Sequence, residues 1–242
     1  MRIGIIGCGA IAREVAKYRK IDAAYDLHPD RCGGIAKVIC RDIDELLSHS
    51  DIVIEAASTS AVVDYAEKIL LSGKDMIVMS VGAFADNRFR DRIFSLAKEL
   101  NRKIYLPSGA IGGIDLIRAA RVAGIDEVKI ITIKNPNTLG IKCNEKTKIF
   151  EGTAEEAIAR FPKSTNVTVL LSIVSGVKVK VEVYADPDVE SNIHQILVRG
   201  KFGEMKMEIR NRRSDINPRT SYLASLSPIS VLDLIESNVV EV

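Results

Sequence analysis

The chain has 242 residues, and its 34 Lys and Arg nearly balance its 32 Asp and Glu, which leaves a formal net charge of +2. This balance gives no electrostatic reason to expect a nucleic acid or an anionic membrane as a partner. No apolar run reaches the roughly 18 residues of a membrane span, and the chain opens in a strand rather than in a signal peptide. We therefore expect a soluble, cytoplasmic protein of one large domain or two small ones.

The first twelve residues predict a dinucleotide-binding turn. Residues 2–6 (RIGII) form an apolar strand, and GCGAIA at residues 7–12 has the pattern G-x-G-x-x-A that joins a first strand to a first helix. Gly7 permits the tight turn, Gly9 lets the backbone approach a pyrophosphate, and Ala12 lets the helix pack against the strand. A match of this kind on its own is also compatible with S-adenosylmethionine or with no ligand.

A second strand favours a nicotinamide dinucleotide, NAD or NADP, over those alternatives. The strand ends in Asp26, 17 residues after Gly9, close to the spacing of about 20 expected for the carboxylate that binds the adenosine ribose. That carboxylate favours NAD because it repels a 2′-phosphate, although Arg31 and Lys37 are near enough in sequence to permit NADP as well. The cofactor contacts predicted in this region are Gly7, Gly9, Ala10, Ile11 and Asp26.

The cysteines give no sign of a metal site or of a structural crosslink. Cys8, Cys32, Cys40 and Cys143 form no C-x-x-C pair and have no His at zinc spacing. We expect reduced thiols, as is usual in the cytosol, and no metal. Cys8, inside the glycine-rich turn, is expected to lie near the cofactor as a small apolar residue, with a redox role as the minor alternative.

Residues 1–109 alternate between strand and helix. Their strands are continuously apolar, which is typical of a parallel sheet covered on both faces. The alternation predicts an α/β, doubly wound Rossmann dinucleotide-binding domain. Between the second and third strands there is a short turn at residues 28–30 in place of a full helix. The further predicted strands are 37–39, 52–57, 76–79 and 103–106, and the further predicted helices are 42–48, 61–71 and 86–100.

Residues 110–214 predict a second, α+β domain. Strands there alternate between apolar and polar residues, as in a mostly antiparallel sheet with one polar face, and residues 200–203 (GKFG) join the last two as a hairpin. The predicted strands are 128–134, 177–183, 196–199 and 205–210, and the covering helices are 154–160 and 166–174. A last helix at 221–238, interrupted by Pro228, is expected to return to the first domain, which residues 215–242 would then complete.

Ligands of an open α/β sheet bind beyond the carboxyl ends of its strands, and this rule selects three segments. Ala57 and Ser58 follow the fourth strand, and Gly82 follows the fifth. Residues 107–113 (PSGAIGG) follow the sixth, and we expect their backbone amides, with Ser108 and Gly109, to contact the nicotinamide and a substrate carboxylate. The same segment is also a candidate interdomain hinge, and the two roles are compatible.

His194 is the predicted proton-transfer residue. A dehydrogenase needs a group that titrates near neutrality, and the second domain contains no other histidine. His194 shares a strand face with Ile196 and Val198, so a buried core histidine is the alternative. His49 ends a helix, where a cation is favourable at the surface, and His28 is placed to line the adenosine pocket.

An anionic substrate would require a cation in the second domain. The candidates are Lys134, Lys163 and Arg199, each of which is also compatible with an ordinary solvated charge. Lys134 ranks first because it closes a strand just before the turn at Asn135 and Pro136.

Seven short segments carry a resemblance that runs in order from the Rossmann domain to the last helix. They are GAFAD (82–86), SGAIGGID (108–115), KIFEG (148–152), FPK (161–163), NV (166–167), NIH (192–194) and NPRTSY (217–222). Individually they are modest, but as an ordered set they resemble the L-aspartate dehydrogenase family. The short stretch between the second and third strands is a departure that bears on the choice between NAD and NADP.

The resemblance implies NAD(P)-dependent oxidation of L-aspartate to iminoaspartate, which hydrolyses to oxaloacetate and ammonia or feeds quinolinate and NAD biosynthesis by a hand-off to quinolinate synthase. It also implies a homodimer. The histidine of the N-x-H motif is the family's active-site residue, which assigns that role to His194 and sets Asn192 beside the substrate. Cofactor contacts are implied at Ala110 and Asn166.

His194 would act as a base on the ammonium of aspartate or, as we favour, on the water that attacks the iminium. Two other interpretations stay open. One is another two-domain NAD(P)-dependent dehydrogenase, similar to homoserine dehydrogenase or dihydrodipicolinate reductase. The other is a non-catalytic dinucleotide sensor whose second domain is a dimerisation or effector module.

Overall fold

The computed structural model describes residues 1–161, 166–217 and 220–239. They form two compact units, one made of Met1–Gly109 with the C-terminal segment that starts at Ser225, and one made of Ala110–Ala224. Among these residues no helix is long and apolar enough to cross a membrane. The same residues contain no group of three or more His, Cys, Asp or Glu that could hold a metal ion.

The first unit is built on a parallel sheet. Its strands are β1 (Ile3–Ile6), β2 (Ile21–Tyr25), β3 (Ala36–Ile39), β4 (Ile52–Glu55), β5 (Asp75–Val78) and β6 (Ile104–Tyr105). They lie in the order β3-β2-β1-β4-β5-β6, and every neighbouring pair is parallel. This is the doubly wound order of the Rossmann fold, so the predicted fold class is confirmed. All four residues of β1 and of β4 are buried, because both strands lie at the centre of the sheet.

Helices connect these strands where the sequence predicted them. They are α1 (Ala10–Tyr18), α2 (Ile43–Ser48), α3 (Thr59–Leu71) and α4 (Asn87–Glu99). Asp42, Ser58 and Asp86 each accept a backbone hydrogen bond at the start of α2, α3 and α4, which is how such residues begin a helix. Between β2 and β3 the chain makes only a 3-10 turn, Pro29–Cys32, as the short sequence there predicted.

The last helix, α9 (Tyr222–Glu236), contributes to the core of the first unit. Leu232 is fully buried in the cluster that contains Ile5 of β1 and Val15 of α1, and Ile229 and Ile235 pack against it. Pro228 lies inside the helix and has no backbone N–H to donate to a carbonyl of the preceding turn.

The second unit is built on a mixed sheet. Its strands are β7 (Ile125–Lys134), β8 (Thr147–Thr153), β9 (Val179–Ala185), β10 (Ile193–Gly200) and β11 (Gly203–Arg210). They lie in the order β11-β10-β7-β9-β8, and every pair is antiparallel except β7 with β9. The expectation of a mostly antiparallel sheet is therefore confirmed. The sequence did not predict β8, because this edge strand buries none of its residues and carries no apolar pattern.

The helices of the second unit are α5 (Ile114–Ala123), α6 (Pro136–Leu139), α7 (Ala154–Arg160) and α8 (Asn166–Ser175). The bounds of α7 and α8 agree with the predicted helices. The sequence did not predict α5, since its exposed Leu116 and Val122 interrupt the apolar stripe by which a helix is recognised.

The expectation of four reduced thiols is wrong for two of them. Cys8 and Cys32 form a disulfide, with their Cα atoms 5.0 Å apart, whereas Cys40 and Cys143 are free. The two bonded residues are 24 positions apart in the chain, a spacing with no motif. They meet because β1 and β2 are parallel neighbours, so that the segments after both strands begin at the same edge of the sheet.

Candidate active site

The glycine-rich turn after β1 has the shape that a dinucleotide pyrophosphate requires. Gly7 has a φ of +91°, and a Cβ added to it would lie 2.7 Å from the Cα of Ala57, so glycine is needed for both reasons. Gly9 precedes α1 and has no side chain with which to cap it. A Cβ at Gly9 would meet nothing within 4 Å. The space beside this helix start is therefore open, and the helix dipole favours an anion there.

Asp26 lies directly after β2 and is fixed to this turn. The backbone N–H of Cys8 donates to its Oδ2 and that of His28 to its Oδ1, both at 2.8 Å. A carboxylate has about four acceptor sites, so each oxygen retains capacity for a ribose hydroxyl. The glycine-rich turn and the carboxylate predicted to bind the ribose thus belong to one hydrogen-bonded unit.

The two cations expected near Asp26 differ in their surroundings. Lys37 forms an ion pair with Asp22, which commits it to a different carboxylate. Arg31 lies in the 3-10 turn after β2, and its carbonyl accepts a hydrogen bond of 2.6 Å from the Arg13 side chain.

Glu55, at the end of β4, organises two of the predicted cofactor segments, and the sequence analysis missed it. It is fully buried. Its Oε1 accepts from the backbone N–H groups of Ala57 and Ser58 and from the hydroxyl of Ser80, and its Oε2 accepts from the N–H of Ser80. Burial raises the pKa of this carboxyl, although the hydrogen bonds oppose the rise. The sequence signal that could have identified Glu55 is an acidic residue at the end of an otherwise apolar strand.

The other predicted loop residues occupy the same ends of strands. Gly82 lies in a 3-10 turn, Val81–Ala85, directly after Ser80. In the segment after β6, Gly109 has a φ of +62°, and Gly113, which precedes α5, has a φ of +73°. Ser108 and Gly109 are half-buried. A positive φ at these two positions favours glycine and lets this segment make tight turns.

In the second unit the central polar group is His194 on β10. It is 6% exposed, and its Nδ1 lies 3.1 Å from the hydroxyl of Thr132, its neighbour across the antiparallel pair with β7. Burial, together with the positive charge of Lys134, lowers the pKa of His194 to about 4. The imidazole is therefore neutral at physiological pH. Burial also lowers the pKa of Lys134.

A small pocket lies beside β7 and β9, and its lining includes Thr132, the hydrogen-bond partner of His194. Its polar lining is Thr132 and Lys134 from β7 and Thr168 from α8, and its walls include Phe161 and Val183. Asn166 begins α8, two residues before Thr168. The pocket thus combines one cation and two hydroxyl groups with apolar walls.

Asn211 connects two more of the predicted site residues, and the sequence analysis missed it. Its Nδ2 donates to the carbonyl of Ala110 (3.1 Å), and its backbone N–H donates to the carbonyl of Asn192 (3.0 Å). The side chain is buried, and its Oδ1 has no hydrogen-bond partner among the described residues. Asn211 follows β11, far from both partners in sequence, so no local motif marked it.

Other candidates lie elsewhere. Arg199 projects from the opposite face of β10 to His194 and pairs with Glu127 and Glu204, which favours the alternative of an ordinary solvated charge. His28 and His49 are exposed. Lys163 lies outside the described residues.

Comparisons with known proteins bear on this arrangement. Residues 7–107 match the family described as "Homoserine dehydrogenase, NAD binding domain", and residues 115–235 match "Aspartate dehydrogenase, C-terminal". An L-aspartate dehydrogenase of Archaeoglobus fulgidus is 46% identical over 238 residues, which cover 96% of this chain and 96% of the relative. The chain belongs to the L-aspartate dehydrogenase family. An L-aspartate dehydrogenase of Methanospirillum hungatei is 40% identical over 248 residues, covering 99% of this chain and 98% of the relative.

Solved structures agree with membership of the L-aspartate dehydrogenase family. The crystal structure of aspartate dehydrogenase from Thermotoga maritima has a TM-score of 0.87 and 33% identity, covering 100% of this chain and 99% of the other. A homoserine dehydrogenase from Thiobacillus denitrificans has a TM-score of 0.65 and 12% identity, covering 98% of this chain and 74% of the other. The second likeness concerns the fold alone.

Proposed function

We propose that the protein is an NAD(P)-dependent L-aspartate dehydrogenase, which oxidises L-aspartate to iminoaspartate. The observation that carries the proposal is the buried, neutral His194, which is paired with Thr132 beside a pocket with a cation. Nearly the whole chain also matches proteins named L-aspartate dehydrogenase. The first unit serves as the cofactor-binding domain and the second as the catalytic domain.

The cofactor is a pyridine nucleotide, supported by the match of residues 7–107 to an NAD-binding domain and by the open, uncapped start of α1. In this proposal the amides of Gly9, Ala10 and Ile11 hold the pyrophosphate, and Asp26 holds the adenosine ribose. The remaining contacts are assigned to Gly7, Ala57, Ser58, Gly82, Ala110 and Asn166. When bound, the nicotinamide supplies the hydride acceptor.

We propose NAD as the preferred dinucleotide. Asp26 is held by two backbone N–H groups, and a carboxylate at this position repels a 2′-phosphate. Lys37 does not offset that charge, because it is paired with Asp22. Of the two cations predicted near Asp26, Arg31 is therefore the one that could permit some use of NADP.

The substrate site is assigned to the pocket at Lys134. The ammonium of Lys134 would neutralise a carboxylate of aspartate, and Asn192 of the same unit would supply a further hydrogen bond. A dicarboxylate also adds negative charge near His194, which opposes the effect of Lys134 and raises the pKa of the imidazole. Binding of the substrate thereby strengthens the base that the reaction needs.

His194 manages a proton. The hydrogen bond to Thr132 engages Nδ1, so Nε2 is the nitrogen assigned to the reaction. We propose that Nε2 accepts a proton from the water that attacks the iminium carbon, which forms a carbinolamine. Return of that proton to the amine nitrogen lets the C–N bond break, which releases ammonia and leaves oxaloacetate. Thr132 holds the ring in one orientation while this happens.

We propose, on the resemblance alone, that the enzyme is a cytoplasmic homodimer. In the pathway that forms NAD, iminoaspartate would pass to quinolinate synthase before water attacks it. The competing outcome is hydrolysis on the enzyme, which the role of His194 describes.

A substrate panel tests the proposed function. L-aspartate, D-aspartate, L-glutamate and L-homoserine are each incubated with the protein and NAD or NADP, and reduced cofactor is followed by absorbance. We expect reduction with L-aspartate only. Tight dinucleotide binding without reduction by any amino acid would favour a sensor, and reduction by homoserine would favour the family matched by residues 7–107.

A further inference from the structure

The Cys8–Cys32 disulfide joins two parts of the dinucleotide site. Cys8 is the variable residue between Gly7 and Gly9 of the glycine-rich turn. Cys32 ends the 3-10 turn Pro29–Cys32, which follows Asp26. The bond therefore connects the backbone that faces a pyrophosphate to the segment that faces the adenosine end.

That second segment contains a 3-10 turn and no α-helix. It occupies the position between β2 and β3 where a helix could pack on the sheet. Its residues His28 and Arg31 are exposed. Two hydrogen bonds also connect it to the rest of the site: the N–H of Cys8 donates to the Asp26 carboxylate, and the Arg13 side chain donates to the carbonyl of Arg31. Both sulfur-bearing residues are buried in the core cluster of the first unit. The disulfide is thus the covalent anchor of a segment without a helix.

We propose that the Cys8–Cys32 bond positions the glycine-rich turn and Asp26 for the cofactor, and that its reduction by a dithiol weakens dinucleotide binding. With the bond intact, the turn and the segment after β2 are held in one arrangement before the ligand arrives. Without it, part of the binding free energy is spent on ordering them. The inference rests on the proposed cofactor site in this turn.

The chemistry is ordinary thiol–disulfide exchange. A thiolate of the dithiol attacks one sulfur, which breaks the S–S bond and gives a mixed disulfide with one protein thiol released. The second thiol of the reagent then displaces the other cysteine. Two electrons and two protons end on Cys8 and Cys32, and the reagent becomes a cyclic disulfide.

Linkage gives the converse effect. If the oxidised protein binds the cofactor more tightly by some factor, the bound cofactor favours the disulfide over the dithiol by the same factor. Because both cysteines are buried, exchange also requires the turn to open locally. Saturating dinucleotide should therefore slow reduction.

The test measures the dissociation constant of NAD by calorimetry for the oxidised protein, for the protein reduced with dithiothreitol, and for the protein re-oxidised afterwards. Thiol titration in denaturant should give two free thiols before reduction and four after it. We expect reduction to weaken NAD binding by about five-fold or more, and re-oxidation to restore it. Thermal unfolding of each form shows whether the fold is kept.

Two variants complete the design. Cys32→Ala should bind NAD as weakly as the reduced protein and should not respond to dithiothreitol. Cys143→Ala, which removes a free thiol elsewhere, should respond as the unaltered chain does. Equal affinity in the oxidised and reduced forms, or four free thiols before reduction, would overturn this inference alone. Failure of the oxidised form to bind any pyridine nucleotide would overturn the proposed function together with it.

Discussion

Thr132 and His194 lie opposite each other on antiparallel strands, and the hydroxyl of one is 3.1 Å from Nδ1 of the other. The register between β7 and β10 sets this pair, and burial keeps the imidazole neutral with a pKa of about 4. Lys134, two residues further along β7, adds its charge on the same strand face. The expected consequences of this arrangement concern catalysis and pH dependence.

Replacing His194 tests its proposed step. His194→Asn keeps a group that can hydrogen-bond to Thr132 but removes the base. We expect steady-state turnover to fall by about 10²- to 10⁴-fold, as for loss of a general base. Rapid mixing should still show a first burst of reduced cofactor, because hydride transfer precedes attack by water. Loss of the burst would instead assign His194 to deprotonation of the ammonium, and unchanged turnover would remove it from the mechanism.

Replacing Lys134 tests the electrostatic coupling. In Lys134→Met the imidazole loses its neighbouring charge, so the pKa of His194 should rise, though only in part because burial is the larger cause. The acid limb of kcat/KM should move to higher pH, and KM for aspartate should increase. Lys129→Met is the matched control, since Lys129 projects from the other face of β7 and pairs with Glu182. An identical pH profile in both variants would contradict the coupling.

The same histidine predicts a pH dependence of folding stability. Its folded-state pKa of about 4 lies below the ordinary value of 6.5, so between these values the unfolded chain binds more protons, and stability is lost as the pH falls. The unaltered chain should lose about 3 kcal/mol more than His194→Asn between pH 7 and pH 4. Urea unfolding across this range measures the difference, and parallel curves would be inconsistent with a buried neutral imidazole.

Asp26 predicts the cofactor preference. Asp26→Asn removes the charge while its amide oxygen can still accept from the N–H of Cys8. The ratio of kcat/KM for NADP to that for NAD should rise by about ten-fold, because a 2′-phosphate is no longer repelled. Asp22→Asn, which frees Lys37 from its ion pair, is the companion variant. A chain that already prefers NADP strongly would contradict the placement of Asp26.

Asn211 predicts a cofactor effect from a position without a sequence motif. Asn211→Asp would set a buried carboxylate against the carbonyl of Ala110, at a cost of about 1–3 kcal/mol. We expect KM for the cofactor to increase as the segment at Ala110 is displaced. Ser214→Ala, another change at a buried polar side chain, should lower stability without this increase. If both variants change KM for the cofactor equally, the role of Asn211 is structural only.

The fold was predictable where local sequence determines it. The continuous apolar strands β1 and β4, the turn at Gly7 and the caps Asp42 and Asp86 each carry their own signal. The strand β8 carries no such signal, because it lies at the exposed edge of its sheet. The helix α5 carries none either, because Val122 is 91% exposed.

The site was predictable only in part. His194 and Lys134 could be chosen by type and position, but the partner of His194 could not, since Thr132 is 62 residues away and reaches it through strand register. Asn211 and Ala110 are 101 residues apart. The Cys8–Cys32 bond likewise depends on the adjacency of β1 and β2. Each of these contacts joins residues that are far apart in sequence, and no local sequence pattern encodes such a pairing.

The most direct measurement follows the hydrogen of the substrate. L-aspartate deuterated at Cα is incubated with the protein and NAD, and the reduced cofactor is analysed by mass spectrometry. We expect one deuterium on the nicotinamide ring for each oxaloacetate formed, with none acquired from solvent. Reduced cofactor without deuterium, or no reduction while NAD is bound, would contradict the assignment of this chain as an aspartate-oxidising dehydrogenase.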